Sequence, residues 1–239
     1  MERKRLGVLG GMGPKATSVF IDLIIESTAA DRDQDHIDMV VLNHASLPDR
    51  THVILENTGE LFLREIEKDI RLLEYAEVAN IAMPCNTAHY YIQEMQAMTT
   101  IPIIDMVEET MREIVDTFGR GGKVGILATN GTLRSGIYGD CARRYGMVPH
   151  EPDRDVQQQV MNIIYRDIKR GILSDPAELE GIIRDMIERD GCSCVIIACT
   201  ELSIVKLSEE ARKVSIDAMD VLVRRSIELS LPAHKSELL

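Results

Sequence analysis

The sequence predicts an α/β protein made of two pseudosymmetric domains, each a parallel sheet flanked by helices, with the active site in the cleft between them. Three observations carry this expectation. Short β-branched runs alternate with longer amphipathic ones, which is the βαβ signature. Two segments recur in the two halves of the chain, and in each half the recurring strand ends in a cysteine followed by polar residues. A length of 239 residues suits either one large α/β unit or two of about 100 to 150 residues.

In order, the strand LGVLG (6–10) precedes a helical run at 14–27, which Pro14 opens as a first-turn residue. MVVLN (39–43) leads to a charged helix at 58–77 and then to NIAMP (80–84). After the proline-marked IPIID (101–105), the pattern restarts with a helix at 107–118, KVGILAT (123–129), a helix at 132–145, two polar helices within 155–188, and CSCVIIA (192–198). FGRGGK (118–123) reads as a tight turn. The last segment, VSIDAMDVLVRRSIEL (214–229), reads as a strand and a helix that pack back on the first half. LGVLGGMG (6–13) resembles VGILATNG (124–131), and AMPCNT (82–87) resembles IIACT (196–200) at nearly the same offset. The expected domains are therefore 1–100 with 213–239, and 101–212.

Hydrophobic residues at 45% supply a real core, and a net charge of −12 argues against nucleic acid as a partner. No run approaches the roughly 20 apolar residues of a membrane span, and the first residues do not read as a signal peptide. Five irregularly spaced cysteines in a chain of this size read as reduced thiols in a cytoplasmic protein.

Cys85 and Cys199 each follow an apolar run and precede a predicted helix, so each thiol is expected at the carboxyl end of a parallel strand, where α/β sheets bind ligands. The N–H groups of the following helix would favour a thiolate. Either cysteine alone is more economically a small buried hydrophobe, but a pair at equivalent places in two repeated halves points to function. Two thiols facing one substrate carbon suit proton removal on one face and proton return on the other. Helix-terminal N–H groups beside Thr87 and Thr200, the Asn86 amide and the Gly11-Met12-Gly13 turn are candidate donors to a developing oxyanion.

These residues resemble the cofactor-independent aspartate/glutamate racemase family, and within it the aspartate racemase branch. The resemblance rests on GVLGGMGP (7–14), LPDRT (47–51), MPCNTAH (83–89), LATNGT (127–132) and ACTEL (198–202). It implies Cys85 and Cys199 as acid and base, no pyridoxal phosphate, no metal, and a homodimer that interconverts L- and D-aspartate, with glutamate second. By motif position it implies Met12, Asn86, Thr87, Thr129 and Thr200 as substrate contacts, and Arg50 and Lys169 as the basic pair for the side-chain carboxylate, with Asp49 beside them. Arg offers a carboxylate a bidentate fork, whereas a lysine on a helix is more often simply solvated. Glutamate racemases usually carry His after the second Cys-Thr, where this chain has Glu201.

Other readings compete. Gly11 to Ala16 fits G-x-G-x-x-A, a dinucleotide fingerprint, but MVVLN ends in Asn43 and His44 without the expected acidic residue. Cys192, Cys194 and Cys199 are crowded, yet their spacing is not that of a zinc knuckle, and a strand would point Cys192 and Cys194 to one face. Those two and Cys141 read as structural. His44 is a further proton carrier to weigh, and His89, one turn after Cys85, either tunes that thiol or packs beside it. A related small-acid isomerase or decarboxylase, or a non-catalytic amino-acid binding protein, would share much of this pattern.

Overall fold

The computed structural model describes residues 4–231, so the outermost residues of the expected first domain, 1–3 and 232–239, lie outside the described residues. The chain divides into two compact units, one running to Asp105 and resuming at Leu222, the other spanning Met106–Val221.

In the first unit, β1 (Leu6–Gly10), β2 (Met39–Asn43) and β3 (Asn80–Ala82) form a parallel sheet in the order β2-β1-β3. Ile103 bridges Ile81 in parallel, with Ile81 N–H donating to the Pro102 carbonyl at 2.9 Å and Ile104 N–H to the Ile81 carbonyl at 2.8 Å. The second unit repeats the plan: β4 (Lys123–Leu127), β5 (Val148–His150), β6 (Cys194–Ile197) and β7 (Ser215–Asp217) are parallel in the order β5-β4-β6-β7. In each unit the first strand is central, the second lies on one side and the third on the other. The segment at 102–104 then occupies beside β3 the place that β7 holds beside β6.

The faces are built by simple periodicities. In α3 (Gly59–Tyr75), Phe62, Ile66, Ile70 and Leu73 recur at helical spacing and meet Leu9, Ile81 and Met83 in one buried cluster. Along the β6 run the side chains alternate. Val195, Ile197 and Cys199 pack with Leu179, Ile182, Ile183 and Met186 of α9 (Pro176–Glu188). Cys194, Ile196 and Ala198 pack on the other side with Met111 and Ile114 of α5 (Met106–Phe118) and with Tyr138 and Cys141 of α7 (Ile137–Arg144). A strand covered on both faces needs an unbroken apolar run, hence CVIIA.

Four expectations change. The domain boundary at 213 moves to 222, because β7 pairs with β6 and so belongs to the second unit; the boundary at 101 moves to 106. From Leu222 onward the helix α11 (Ala218–Ser230) does join the first unit, where the Asn80 side-chain amide donates to the Leu229 carbonyl and Lys4 N–H to the Ser230 carbonyl. The helix expected at 132–145 is two pieces, α6 (Asn130–Ser135) and α7, separated by Gly136 at φ +74°. Cys192 precedes β6 instead of lying in it, so it packs with the α9 face while Cys194 packs with the α5 face.

Candidate active site

In the first unit the turn after β1 lies against both its neighbours. A Cβ on Gly10 would sit 2.3 Å from Thr17 Cγ2, and one on Gly11, at φ +93°, 2.3 Å from the backbone of His44. Only glycine allows this approach. Gly11 N–H donates to Thr17 Oγ1 at 2.9 Å, and the Thr17 hydroxyl donates to the Gly13 carbonyl at 3.0 Å. The amide that would face a pyrophosphate is thus already used by α1 (Pro14–Ser27), which counts against the dinucleotide reading. Met12 is buried by this turn in the same cluster as Leu47, Val53, Cys85 and Tyr91.

Cys85 lies three residues past β3, where its N–H donates to the Met83 carbonyl at 2.7 Å. Asn86 and Thr87 come next, both buried, and open a 3-10 turn (Thr87–Tyr91) that leads into the short α4 (Ile92–Ala97). His89 lies in that turn with Nδ1 2.9 Å from the Cys85 carbonyl and Nε2 3.3 Å from the Ile104 carbonyl. Both partners are acceptors and a neutral ring has a single N–H, so His89 donates to one of these carbonyls and lies beside the other. Nearby, α2 (Arg50–Leu55) packs against the same 3-10 turn, capped by the Asp49 carboxylate, which accepts from His52 N–H at 2.9 Å. Arg50 is buried to 7% exposure; its Nη1 donates to the Pro48 carbonyl at 2.8 Å, and its Nε has no hydrogen-bond partner among the described residues. A buried guanidinium with an unused donor has capacity for an acceptor from outside the chain. His44 Nδ1 pairs with Asp69 Oδ2 at 2.8 Å.

In the second unit, Thr129 caps α6 by accepting from Thr132 N–H at 3.2 Å, and its hydroxyl lies 3.1 Å from that of Thr132. Cys199 lies two residues past β6, with the buried Thr200 and Glu201 directly after it. The Cys199 thiol donates to Glu201 Oε2 at 3.1 Å, while Glu201 Oε1 accepts from Lys169 Nζ at 2.6 Å. Lys169 reaches this point through an irregular stretch: α8 (Arg154–Met161) widens into a π-helical turn (Asn162–Asp167), tightens to a 3-10 turn (Ile168–Arg170), and stops at Gly171, φ +77°. The irregular turns bury Ile163, Ile164 and Ile168 and leave Lys169 to face Glu201, over the Tyr165 ring at 5.2 Å.

Two expectations about the thiols are corrected. A 3-10 turn comes after Cys85 where a helix was expected, and after Cys199 the 3-10 turn (Leu202–Ile204) gives way to extended chain. Neither supplies the dipole of a full helix. Moreover, burial, and then the Glu201 carboxylate, push the Cys199 thiol well above its ordinary value, with Lys169 acting in the opposite sense. For Lys169 burial works against the charge, but Glu201 outweighs it and raises the ammonium above the usual lysine range. Burial also raises Cys192 to about 11 and Cys194 to about 12, as expected of structural thiols. Among the described residues no group of three or more His, Cys, Asp or Glu gathers as metal ligands would, and no helix is long and apolar enough to cross a membrane.

Within the first unit the structure thus brings Met12 and Cys85 into one cluster, with α2 and its Asp49 and Arg50 against the turn that carries Thr87. Within the second it brings Cys199 and Lys169 together through Glu201. The sequence had assigned Glu201 no contact; its position two residues after Cys199 was the available signal. Tyr165 and Thr17 gave none.

Two parallel α/β units of like strand order, each with a cysteine just beyond its third strand, define an α/β protein built on a repeated plan. The chain belongs to the Asp/Glu/hydantoin racemase family, whose profile matches residues 9–225. It is 30% identical over 232 residues to the "Broad specificity amino-acid racemase RacX" of Bacillus subtilis, covering 95% of this chain and 98% of that one. Among solved structures it is similar to the aspartate racemase of Picrophilus torridus, at 31% identity and TM-score 0.79, covering 95% and 94% of the two chains. A glutamate racemase from Francisella tularensis shares the fold at 17% identity and TM-score 0.64, covering 96% of this chain and 81% of that one.

Proposed function

We propose that the protein racemises aspartate, and glutamate second, without pyridoxal phosphate, by a two-base mechanism in which Cys85 and Cys199 are thiolate and thiol. The observation that supports this most is that the two cysteines lie just beyond equivalent strands of two units of like strand order. One thiolate takes the Cα proton, the α-carboxylate receives the electron pair, and the other thiol returns a proton to the opposite face; the roles exchange for the other enantiomer. Met12, Asn86, Thr87, Thr129 and Thr200 contact the amino and carboxylate groups in this reading, and Arg50 and Lys169 hold the side-chain carboxylate with Asp49 as a polar partner. The protein works in the reducing cytoplasm, and its active form is a homodimer. Chiral chromatography after incubation with L-aspartate tests it: wild type yields D-aspartate, and Cys85→Ala and Cys199→Ala each yield none. Full turnover by either variant would refute the two-base assignment.

One observation favours a second reading, in which neutral amino acids are also accepted. The charge of Lys169 is already balanced by Glu201 at 2.6 Å, so it is less available to select a side-chain carboxylate, and the B. subtilis relative is titled a broad-specificity enzyme. Comparing kcat/KM for aspartate, glutamate, alanine and serine separates the two readings.

A further inference from the structure

Cys199, Glu201 and Lys169 form a continuous chain of short contacts in which one carboxylate serves two partners. Glu201 is 5% exposed, its Oε2 is 3.1 Å from the Cys199 sulfur, and its Oε1 is 2.6 Å from Lys169 Nζ. A carboxylate can only accept from a thiol; it cannot donate to a thiolate. Ionised sulfur at this place would lose that hydrogen bond and face a negative charge, with the Lys169 ammonium as the counterweight on the far side of Glu201.

We propose that Glu201 is a positioning residue that holds Cys199 as the protonated thiol in the resting protein, so that Cys199 begins as proton donor and Cys85 as base. This rests on the two-thiol reading above. In the forward step the Cα–H bond breaks as a Cys85 S–H bond forms, and the electron pair passes into the α-carboxylate. The Cys199 S–H bond then breaks as a new Cα–H bond forms on the opposite face, leaving a Cys199 thiolate. Glu201 disfavours that thiolate and Lys169 stabilises it, so the pair sets how readily Cys199 gives up and regains its proton. Burial in low dielectric strengthens both effects, and the resting preference for the thiol has the same sign as the raised titration of Cys199.

The test is a substrate-free titration of protein labelled with 13C at the cysteine β-carbon, monitored by NMR, with the Cys199 signal assigned by its loss in Cys199→Ser. In wild type the Cys199 signal keeps its thiol position through pH 8.5, about where an unperturbed cysteine is half ionised. Glu201→Gln keeps the size of the side chain but carries no charge, and its Cys199 midpoint falls by about one pH unit or more, a tenfold gain in thiolate at a given pH. Lys169→Met moves the midpoint the opposite way. Opposite shifts from two neighbouring changes are not what general loosening of the fold produces. A wild-type Cys199 that ionises at or below pH 8.5, or an unchanged midpoint in Glu201→Gln, would overturn the proposal. Because no substrate is present, this result stands apart from the racemase reading, which fails if wild type makes no D-amino acid.

Discussion

Replacing Gly11 by Ala tests how the candidate site is anchored in the first unit. At φ +93° an L-residue carries a left-handed penalty of about 1 to 2 kcal/mol. The added Cβ would also lie 2.3 Å from the His44 carbonyl carbon and 2.5 Å from its N and O. These are backbone atoms just beyond β2, whose last pair is Gly10 with Asn43, so no side-chain rotation relieves the overlap. Overpacking of this kind costs about 1 to 3 kcal/mol, for a total of about 2 to 5 kcal/mol. Gly119→Ala is the control: its φ is +77°, but its Cβ would meet nothing within 4 Å, so it bears only the left-handed penalty. Urea unfolding monitored by circular dichroism reads the difference. With a slope of about 2 to 3 kcal/mol per molar, the overpacking alone should make Gly11→Ala unfold about 0.3 to 1.5 M earlier than Gly119→Ala. Equal midpoints would show that the turn after β1 can move away from His44, so that the close approach does not require glycine.

Asp49→Ala removes the cap of α2 and should cost about 1 kcal/mol in the same assay; no loss would mean the cap is idle. Arg50→Ala should raise KM for aspartate far more than for alanine or serine, and equal losses for all substrates would remove Arg50 from side-chain recognition. Burial, and after it the neighbouring Asp220, lifts Asp217 to about 7, against hydrogen bonds from Ser203 and from backbone N–H groups that favour its charge. Since its folded pKa lies above its unfolded one, the stability it contributes is complete below about pH 4 and is lost as pH rises through about 7. Urea midpoints at pH 5 and pH 8 should therefore differ more in wild type than in Asp217→Asn; the same difference in both would contradict this assignment.

Much of the architecture was legible because it depends on periodicity. CVIIA and LGVLG announce strands covered on both faces, and the spacing of Phe62, Ile66, Ile70 and Leu73 announces one apolar helix stripe. The matching places of Cys85 and Cys199, each just past the third strand of its own unit, could be read because the chain repeats a local pattern. The sequence did not disclose where β7 pairs, since Ser215–Asp217 is too short to state its partner. Nor did it disclose the π-helical turn that delivers Lys169, because i→i+5 geometry is selected by packing of Ile163, Ile164 and Ile168 and has no compositional mark. The raised thiol of Cys199 was missed for a related reason. A helix dipole is inferred from the residues next along the chain, whereas burial and the bridging carboxylate of Glu201 decide the sign here.

That two cysteines move protons at one carbon is tested most directly by exchange in deuterated water. Reduced protein is incubated with L-aspartate without pyridoxal phosphate, and Cα deuteration and chirality are measured together by NMR and chiral chromatography. Wild type should give deuterium in the D-product, and Cys85→Ala and Cys199→Ala should give no D-product. Absence of both exchange and D-product from wild type, with glutamate and neutral amino acids giving the same result, would contradict the two-thiol mechanism.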